Sequence, residues 1–123
     1  MTLTELLQWQ RQGYSQYHVH RANLLLHIVA VPVFLLANVT LVGSLAQGRW
    51  LPTLLALGLM LASMAVQGRG HHQEPVPPAP FTGPGQFVLR LLLEQWVSFP
   101  EFVLTGRWWR ALRQASRIPQ RTR

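Results

Sequence analysis

The residues able to do chemistry are few, and they cluster. The chain has no Cys, Lys or Asp, which leaves five histidines, four glutamates and two tyrosines as side chains suited to catalysis or metal binding. His18, His20 and His27 stand beside Asn23 at the foot of a long apolar run, and His71 and His72 form a second group beside Glu74. An ionisable side chain at membrane depth is costly and needs a partner. Neutral imidazole is the commonest metal ligand, and nitrogen donor sets suit iron, zinc or copper. The histidines are therefore read as holding a metal at a membrane face. The absences narrow the field further. Without Cys there is no thiolate zinc site, iron–sulfur cluster or thiol nucleophile; without Lys there is no Walker-type phosphate loop or Schiff base. Without Asp, neither a His-x-Asp iron motif nor a Ser-His-Asp triad is available.

Helical geometry restricts which of these residues can cooperate. His20, Asn23 and His27 fall at i, i+3 and i+7, one stripe of a helix. His18 is out of phase with His27 on a continuous helix, so the two can meet one metal only if the helix starts near His20 and the chain bends before it. His20 is equally readable as an interfacial residue, and His27 as a packing residue paired with Asn or Ser.

The elements that must position these groups read as helices. Thr2 to Tyr17 is amphipathic, with capping-box spacing between Thr2 and Glu5; its start lacks the basic region and cleavage site of a secretory signal. Leu24 to Ala46 is a run of 23 residues whose sole ionisable group is His27, long enough to cross a bilayer, which takes about 20. Asn38, Thr40 and Ser44 are polar positions in it suited to bonding neighbouring helices. Gln47-Gly48-Arg49 is a turn, and Trp50 to Val66 is a second, shorter apolar run in which Gly58, Ala62 and Ser63 permit close helix contact. Gln67 to Glu74 reads as a polar loop, stiffened by Pro75, Pro77, Pro78 and Pro80. A hairpin of the two apolar runs brings His18, His20 and His71 out on the same side. Gln86 to Gly106 is a third apolar helix with one polar stripe, Gln86, Arg90, Glu94, Ser98 and Glu101, that should face protein or a wet cavity. Arg90 and Glu94 have the i, i+4 spacing of an ion pair, and Pro100 predicts a kink.

The expected fold is thus all-α: a small integral membrane bundle of a transmembrane hairpin, an N-terminal amphipathic helix and a third apolar helix. Residues 1–110 form the membrane domain with the metal site, and residues 111–123 an Arg-rich tail. The net charge of +7 comes entirely from arginine. Arg107, Arg110, Arg113, Arg117, Arg121 and Arg123 crowd the C-terminus beside Trp108 and Trp109, which suits anionic lipid headgroups rather than nucleic acid. Arg49 alone marks the hairpin turn, so the positive-inside rule places both termini and the histidine face in the cytoplasm; the compact, lysine-free, Arg-rich chain suggests a bacterial inner membrane.

Two motifs carry a resemblance. His18-x4-Asn23-x3-His27-x4-Pro32, followed after the apolar spans by Gly70-His71-x2-Glu74-x2-Pro77, resembles the small membrane family that includes the fungal endoplasmic-reticulum 2-hydroxy fatty acid dioxygenase. The resemblance implies an Fe(II)-dependent dioxygenase of fatty acid α-oxidation, with O2 and a 2-hydroxy fatty acid as substrates. It implies that His18, His27 and His71 are the iron ligands, with His20 or His72 as a candidate fourth. Glu74 and Asn23 are the candidates for a catalytic part, and Arg69 or Arg21 would pair with the substrate carboxylate. The competing readings are a haem protein using two histidines axially, a non-catalytic membrane scaffold, and a zinc-dependent lipid hydrolase with Glu74 or Glu94 as general base.

Overall fold

In the computed structural model, which describes residues 2–115, every regular element is helical. Helix α1 spans Leu3–Tyr14, α2 Arg21–Ala46, α3 Trp50–His71, α4 Pro84–Leu93, α5 Phe99–Leu104 and α6 Arg107–Ala115; a 3-10 turn, Ser15–Tyr17, follows α1, and a π turn, Glu94–Ser98, joins α4 to α5. The all-α architecture agrees with the sequence. Arg117, Arg121 and Arg123 lie outside the described residues.

The capping box forms as expected: the Glu5 amide donates to Thr2 Oγ1 and the Thr2 amide to the Glu5 carboxylate. Helix α1 packs on the third apolar element rather than lying apart from it. Gln10 donates to the Arg90 carbonyl, Ser98 donates to Gln10, and Arg11 pairs with Glu101 at 2.7 Å. The polar stripe of the third helix is therefore covered by α1.

Helices α2 and α3 form an antiparallel hairpin closed at Gly48, whose φ of 66° lets the Arg49 amide reach the Ser44 carbonyl and the Gly48 amide reach Leu45. This is the glycine-terminated helix end that satisfies otherwise orphaned carbonyls. The seam is built on a seven-residue repeat of small or polar buried residues: Asn23, Ala30, Ala37 and Ser44 on α2, with Ala56, Ser63 and Gly70 on α3. Small residues allow the backbones to approach, and polar ones bond across the contact, as Ser63 does to the Ala30 carbonyl at 2.6 Å. Gly58 and Ala62, expected in this contact, are exposed instead. Asn38 does bond across helices, accepting from the Trp96 indole at 3.0 Å.

The second helix is longer than its apolar run. It continues through Gln67, Gly68 and Gly70 to His71, where composition predicts a loop. Tertiary packing overrides the glycines' poor helix propensity: Gln67 is buried by a reciprocal amide pair with Gln95, and Gly70 is buried against Asn23.

Helices α2 and α3 are long and apolar enough to cross a membrane. Their outward faces carry Val29, Leu36, Val39, Val42, Leu54, Leu55 and Leu61, all exposed. The described core lies on the opposite side of α2, where Leu24 and Val31 meet Tyr14, Phe99, Phe102, Trp108 and Ala115. Helix α6 carries the folded part past residue 110, because Trp108, Leu112 and Ala115 fall on one face and pack inward. The Trp108 indole is fixed by the Leu24 carbonyl at 3.1 Å. The expected irregularity at Pro100 takes the form of the π turn just before it, since the proline ring would meet the carbonyl of Trp96 in a regular helix.

Candidate metal centre

The histidine end of the hairpin is organised by a buckle around Glu74. The chain leaves the 3-10 turn at His18 with φ −133° and ψ 63° and runs extended to His20, which caps α2 by accepting from the Ala22 amide at 3.2 Å. The bend that the two-histidine geometry demands is thus present, and the helix starts where it must. Three groups of this segment converge on one buried carboxylate: the amides of Val19 and His20 donate to Glu74 at 3.0 and 2.9 Å, and Asn23 Nδ2 donates to it at 2.9 Å. Glu74 is 4 % exposed. Its place, and that of Asn23, is beneath the backbone that carries His18 and His27. Asn23 in turn sits against Gly70, where a Cβ would overlap its amide oxygen. That contact brings the end of α3, and with it His71, against α2.

His18, His27 and His71 meet at this end as a nearly equilateral triangle of rings. Their centroids lie 4.9, 4.9 and 4.8 Å apart, with the planes close to perpendicular. His18 Nδ1 lies 2.9 Å from the Tyr14 carbonyl and His27 Nδ1 3.0 Å from the Asn23 carbonyl, each one helical turn back. A carbonyl only accepts, so both Nδ1 atoms carry the proton and both Nε2 atoms present a lone pair. These outer hydrogen bonds are the type that fixes the tautomer of a ligating histidine. His18 Nε2, His27 Nε2 and His71 Nδ1 are all buried without a hydrogen-bond partner. Three such orphans in one place need an explanation, and an ion shared among them supplies it.

The fourth donor is Glu94. Its Oε1 lies 3.8 Å from His18 Nε2 and 3.9 Å from His27 Nε2. One donor atom from each of His18, His27, His71 and Glu94 falls within 4.8 Å of all the others. Donors bound to one ion at about 2.0–2.2 Å lie within about 4 Å of each other, a spacing these four approach. The residues fit a single divalent metal. Glu94 does not make the expected bridge to Arg90, whose guanidinium donates to the carbonyls of Ala79 and Pro80 at 3.1 Å each. The turn from Arg90 to Glu94 is a regular α turn, with the Glu94 amide donating to the Arg90 carbonyl; the Glu94 carboxylate nevertheless lies beside the histidines, and Gln95, within the π turn, bonds Gln67.

Tyr14 binds two of the four donors. Its ring stacks on His18 at 4.0 Å with the planes 8° apart, its carbonyl accepts from His18 Nδ1–H, and its hydroxyl donates to Glu94 at 3.3 Å. Burial holds His18 well below the usual imidazole range, with the neighbouring histidines adding to the effect, so it stays neutral and able to ligate. Burial pushes the Glu94 carboxyl up to about 7, against the opposing Tyr14 hydrogen bond and Arg90 charge.

Neither His20 nor His72 joins the donor set. His20 is occupied as the α2 cap, and His72 is exposed beyond the last turn of α3. Arg21 and Arg69 are also exposed, away from the cleft that adjoins the histidines. That cleft encloses about 830 Å³ between α1, α3, the proline loop and α4, and His18, His71 and Glu94 line it. The arginine on its wall is Arg90. Sequence reasoning passed over Tyr14 and placed Glu94 outside the metal site. The signal for Tyr14 was its position one turn before His18; for Glu94 it was the polar stripe itself. Comparison with protein-family models, curated proteins and solved structures gives no match.

Proposed function

We propose that the chain is a membrane-embedded Fe(II)-dependent dioxygenase that shortens 2-hydroxy fatty acids by one carbon. The observation that carries this reading is the set of three buried, unpartnered imidazole nitrogens and Glu94 on the wall of a cleft large enough for a lipid-like substrate. Small-molecule sites typically occupy about 300–1,000 Å³. A histidine set with a carboxylate and open positions suits non-haem iron. The resemblance in the His18, Asn23, His27 and Gly70-His71 motifs gives the substrate class. The apolar outer faces of α2 and α3 support embedding in a bilayer. The arginine distribution supports a cytoplasmic histidine end, and the compact, lysine-free, Arg-rich chain a bacterial inner membrane.

The overall change is balanced with O2 as the oxidant. The C1–C2 bond breaks, C1 leaves as carbon dioxide and C2 is oxidised to a carboxylate. One oxygen atom enters the shortened acid and the other is reduced to water. Bound Fe(II) supplies the activation of O2. The protein's part is positional: Tyr14 and the two turn carbonyls hold the imidazoles in the ligating tautomer, and Glu74 fixes the His18 segment to α2. The packed rings of Phe99 and Phe102 beside the histidines keep water from the inner side of the site.

Two rival chemistries fit less well. A haem needs open space between two axial imidazoles, and here a third histidine and Glu94 fill it. A zinc hydrolase needs a carboxylate as general base, yet Glu94 is among the donors and Glu74 accepts three N–H groups of the protein.

The test is oxygen uptake by purified, Fe(II)-loaded protein given a 2-hydroxy fatty acid, with the product identified by mass. Stoichiometric uptake and an acid one carbon shorter are expected, abolished in His27→Ala. No uptake by iron-loaded protein, or uptake unchanged in His27→Ala, would overturn the reading.

A further inference from the structure

Arg90 is 9 % exposed and lines the cleft on the same helix face as Glu94, one turn away. An arginine offers five N–H donors. Two are used by the Ala79 and Pro80 carbonyls, and Nε is buried without a partner. The guanidinium is also clamped between rings, 4.1 Å from the Phe81 centroid and 5.0 Å from that of Trp9. Both rings are cleft residues. A long side chain is thus immobilised on the cleft wall and stripped of most of its water, with more N–H donors than its two carbonyl partners use. Among the described residues no carboxylate forms an ion pair with it.

Around it the cleft is greasy, with Trp9, Met64, Phe87 and Leu91 on its walls. The combination is specific in kind: one fixed cation with a planar donor fork, next to apolar surface, beside the metal site. An arginine of this sort recognises a carboxylate through paired N–H bonds.

We propose that Arg90 is the headgroup anchor of this cleft and binds the carboxylate of a long-chain fatty acid, whose chain lies along the apolar walls. The one-turn offset from Glu94, about 6 Å along the helix axis, then sets the carbon atoms next to the carboxylate at the histidine end. The assignment deepens the reading of the site given above and relies on it only for where the substrate reacts. Binding itself requires neither iron nor turnover.

Metal-stripped protein in zwitterionic nanodiscs provides the test, with Trp9 as a built-in reporter. Quenching of tryptophan emission by a bromine-labelled fatty acid would be followed, with an unlabelled 2-hydroxy acid, the fatty alcohol and the alkyl phosphate of equal length as competitors. The acids are expected to compete at least tenfold better than the alcohol. Arg90→Gln should lose that advantage, and Arg69→Gln, on the exposed face of α3, should keep it. Equal competition by acid and alcohol would overturn the assignment, and this comparison needs no variant should Arg90→Gln fail to fold. Tighter binding of the alkyl phosphate would overturn the choice of carboxylate. Acid binding without oxygen uptake on iron loading would uphold the anchor and sink the dioxygenase reading; uptake without a preference for acid over alcohol would do the reverse.

Discussion

Gly70 lies against Asn23 with no room for a side chain: a Cβ there would overlap the Asn23 amide oxygen and come within 3.4 Å of the Asn23 Cα. Asn23 cannot retreat, because its amide nitrogen is bonded to Glu74 and its backbone is inside α2. Alanine normally gains about 1 kcal/mol over glycine within a helix. At this position overpacking, typically about 1–3 kcal/mol, opposes that gain and dominates. Gly70→Ala should therefore destabilise the protein and weaken metal binding by shifting His71. Gly68→Ala, with no atom within 4 Å of its Cβ, should be neutral or stabilising. Thermal unfolding in detergent compares the two; equal melting temperatures would contradict the close contact.

Glu74 is a fastener in this structure, tying the Val19 and His20 amides to the Asn23 side chain. Glu74→Gln keeps one acceptor oxygen and loses the charge that binds two amides and Asn23. A loss of about 1.5–3 kcal/mol is expected from charge-assisted bonds. Metal affinity should fall about 10–100-fold through misplacement of His18, with turnover per bound metal largely kept. A variant with full metal occupancy and no turnover would instead assign Glu74 to the chemistry.

Tyr14→Phe separates the roles of that residue. The stacking on His18 and the backbone bond to its Nδ1 survive, while the donor to Glu94 is lost. Global stability should change by only about 0.5–1.5 kcal/mol, and metal affinity should drop about 10-fold, the lower end of outer-shell effects. Tyr14→Ala also strips the ring from the core and should cost about 3–5 kcal/mol, as for other buried aromatics. Metal titrations alongside chemical unfolding distinguish the outcomes; identical affinities in wild type and Tyr14→Phe would remove the hydroxyl from the account.

Metal binding should be linked to the Glu94 proton. Burial raises this carboxyl to about 7 in the metal-free protein, so below that pH a proton occupies a donor that the ion requires. Affinity is expected to rise with pH up to about 7 and then level, with proton release on binding at the acid side. The folded-state value lies above the unfolded one, so in metal-free protein Glu94 contributes stability that is complete below about 4.5 and lost as pH rises through 7. Burial of neutral His18 acts in the opposite sense, losing stability as pH falls below its ordinary 6.5. Glu94→Gln isolates the first effect. Calorimetric titration in two buffers of different ionisation enthalpy should show proton release near pH 6 in wild type and less in the variant.

Much of this architecture was legible in the residues. Apolar run length and the Gly48 turn dictated the hairpin, and hairpin topology alone delivered His18 and His71 to the same end. The bend before His20 followed from helical phase. What stayed hidden depends on contacts between distant segments. Glu94 is far from the histidines in sequence, and its i, i+4 relation to Arg90 offered a simpler partner, whereas in the structure the Arg90 guanidinium is taken up by the Ala79 and Pro80 carbonyls. Arg21 and Arg69 were the arginines nearest the histidines along the chain, whereas Arg90 arrives from the third helix. The extension of α3 through two glycines reflects packing against Asn23 and Gln95, which propensity does not contain. The seven-residue repeat of small residues emerges only from the paired helices; of the small residues expected at the contact, Ser63 lies on it and Gly58 and Ala62 do not.

The central claim is that His18, His27, His71 and Glu94 hold one metal ion. The direct measurement is elemental analysis of protein purified in mild detergent, together with X-ray absorption at the metal edge. The account predicts one iron per chain with imidazole nitrogen and carboxylate oxygen in its first shell, lost in a His27→Ala, His71→Ala double variant that still folds. Wild-type protein that binds no stoichiometric metal after reconstitution, or a double variant that retains it, would contradict the account.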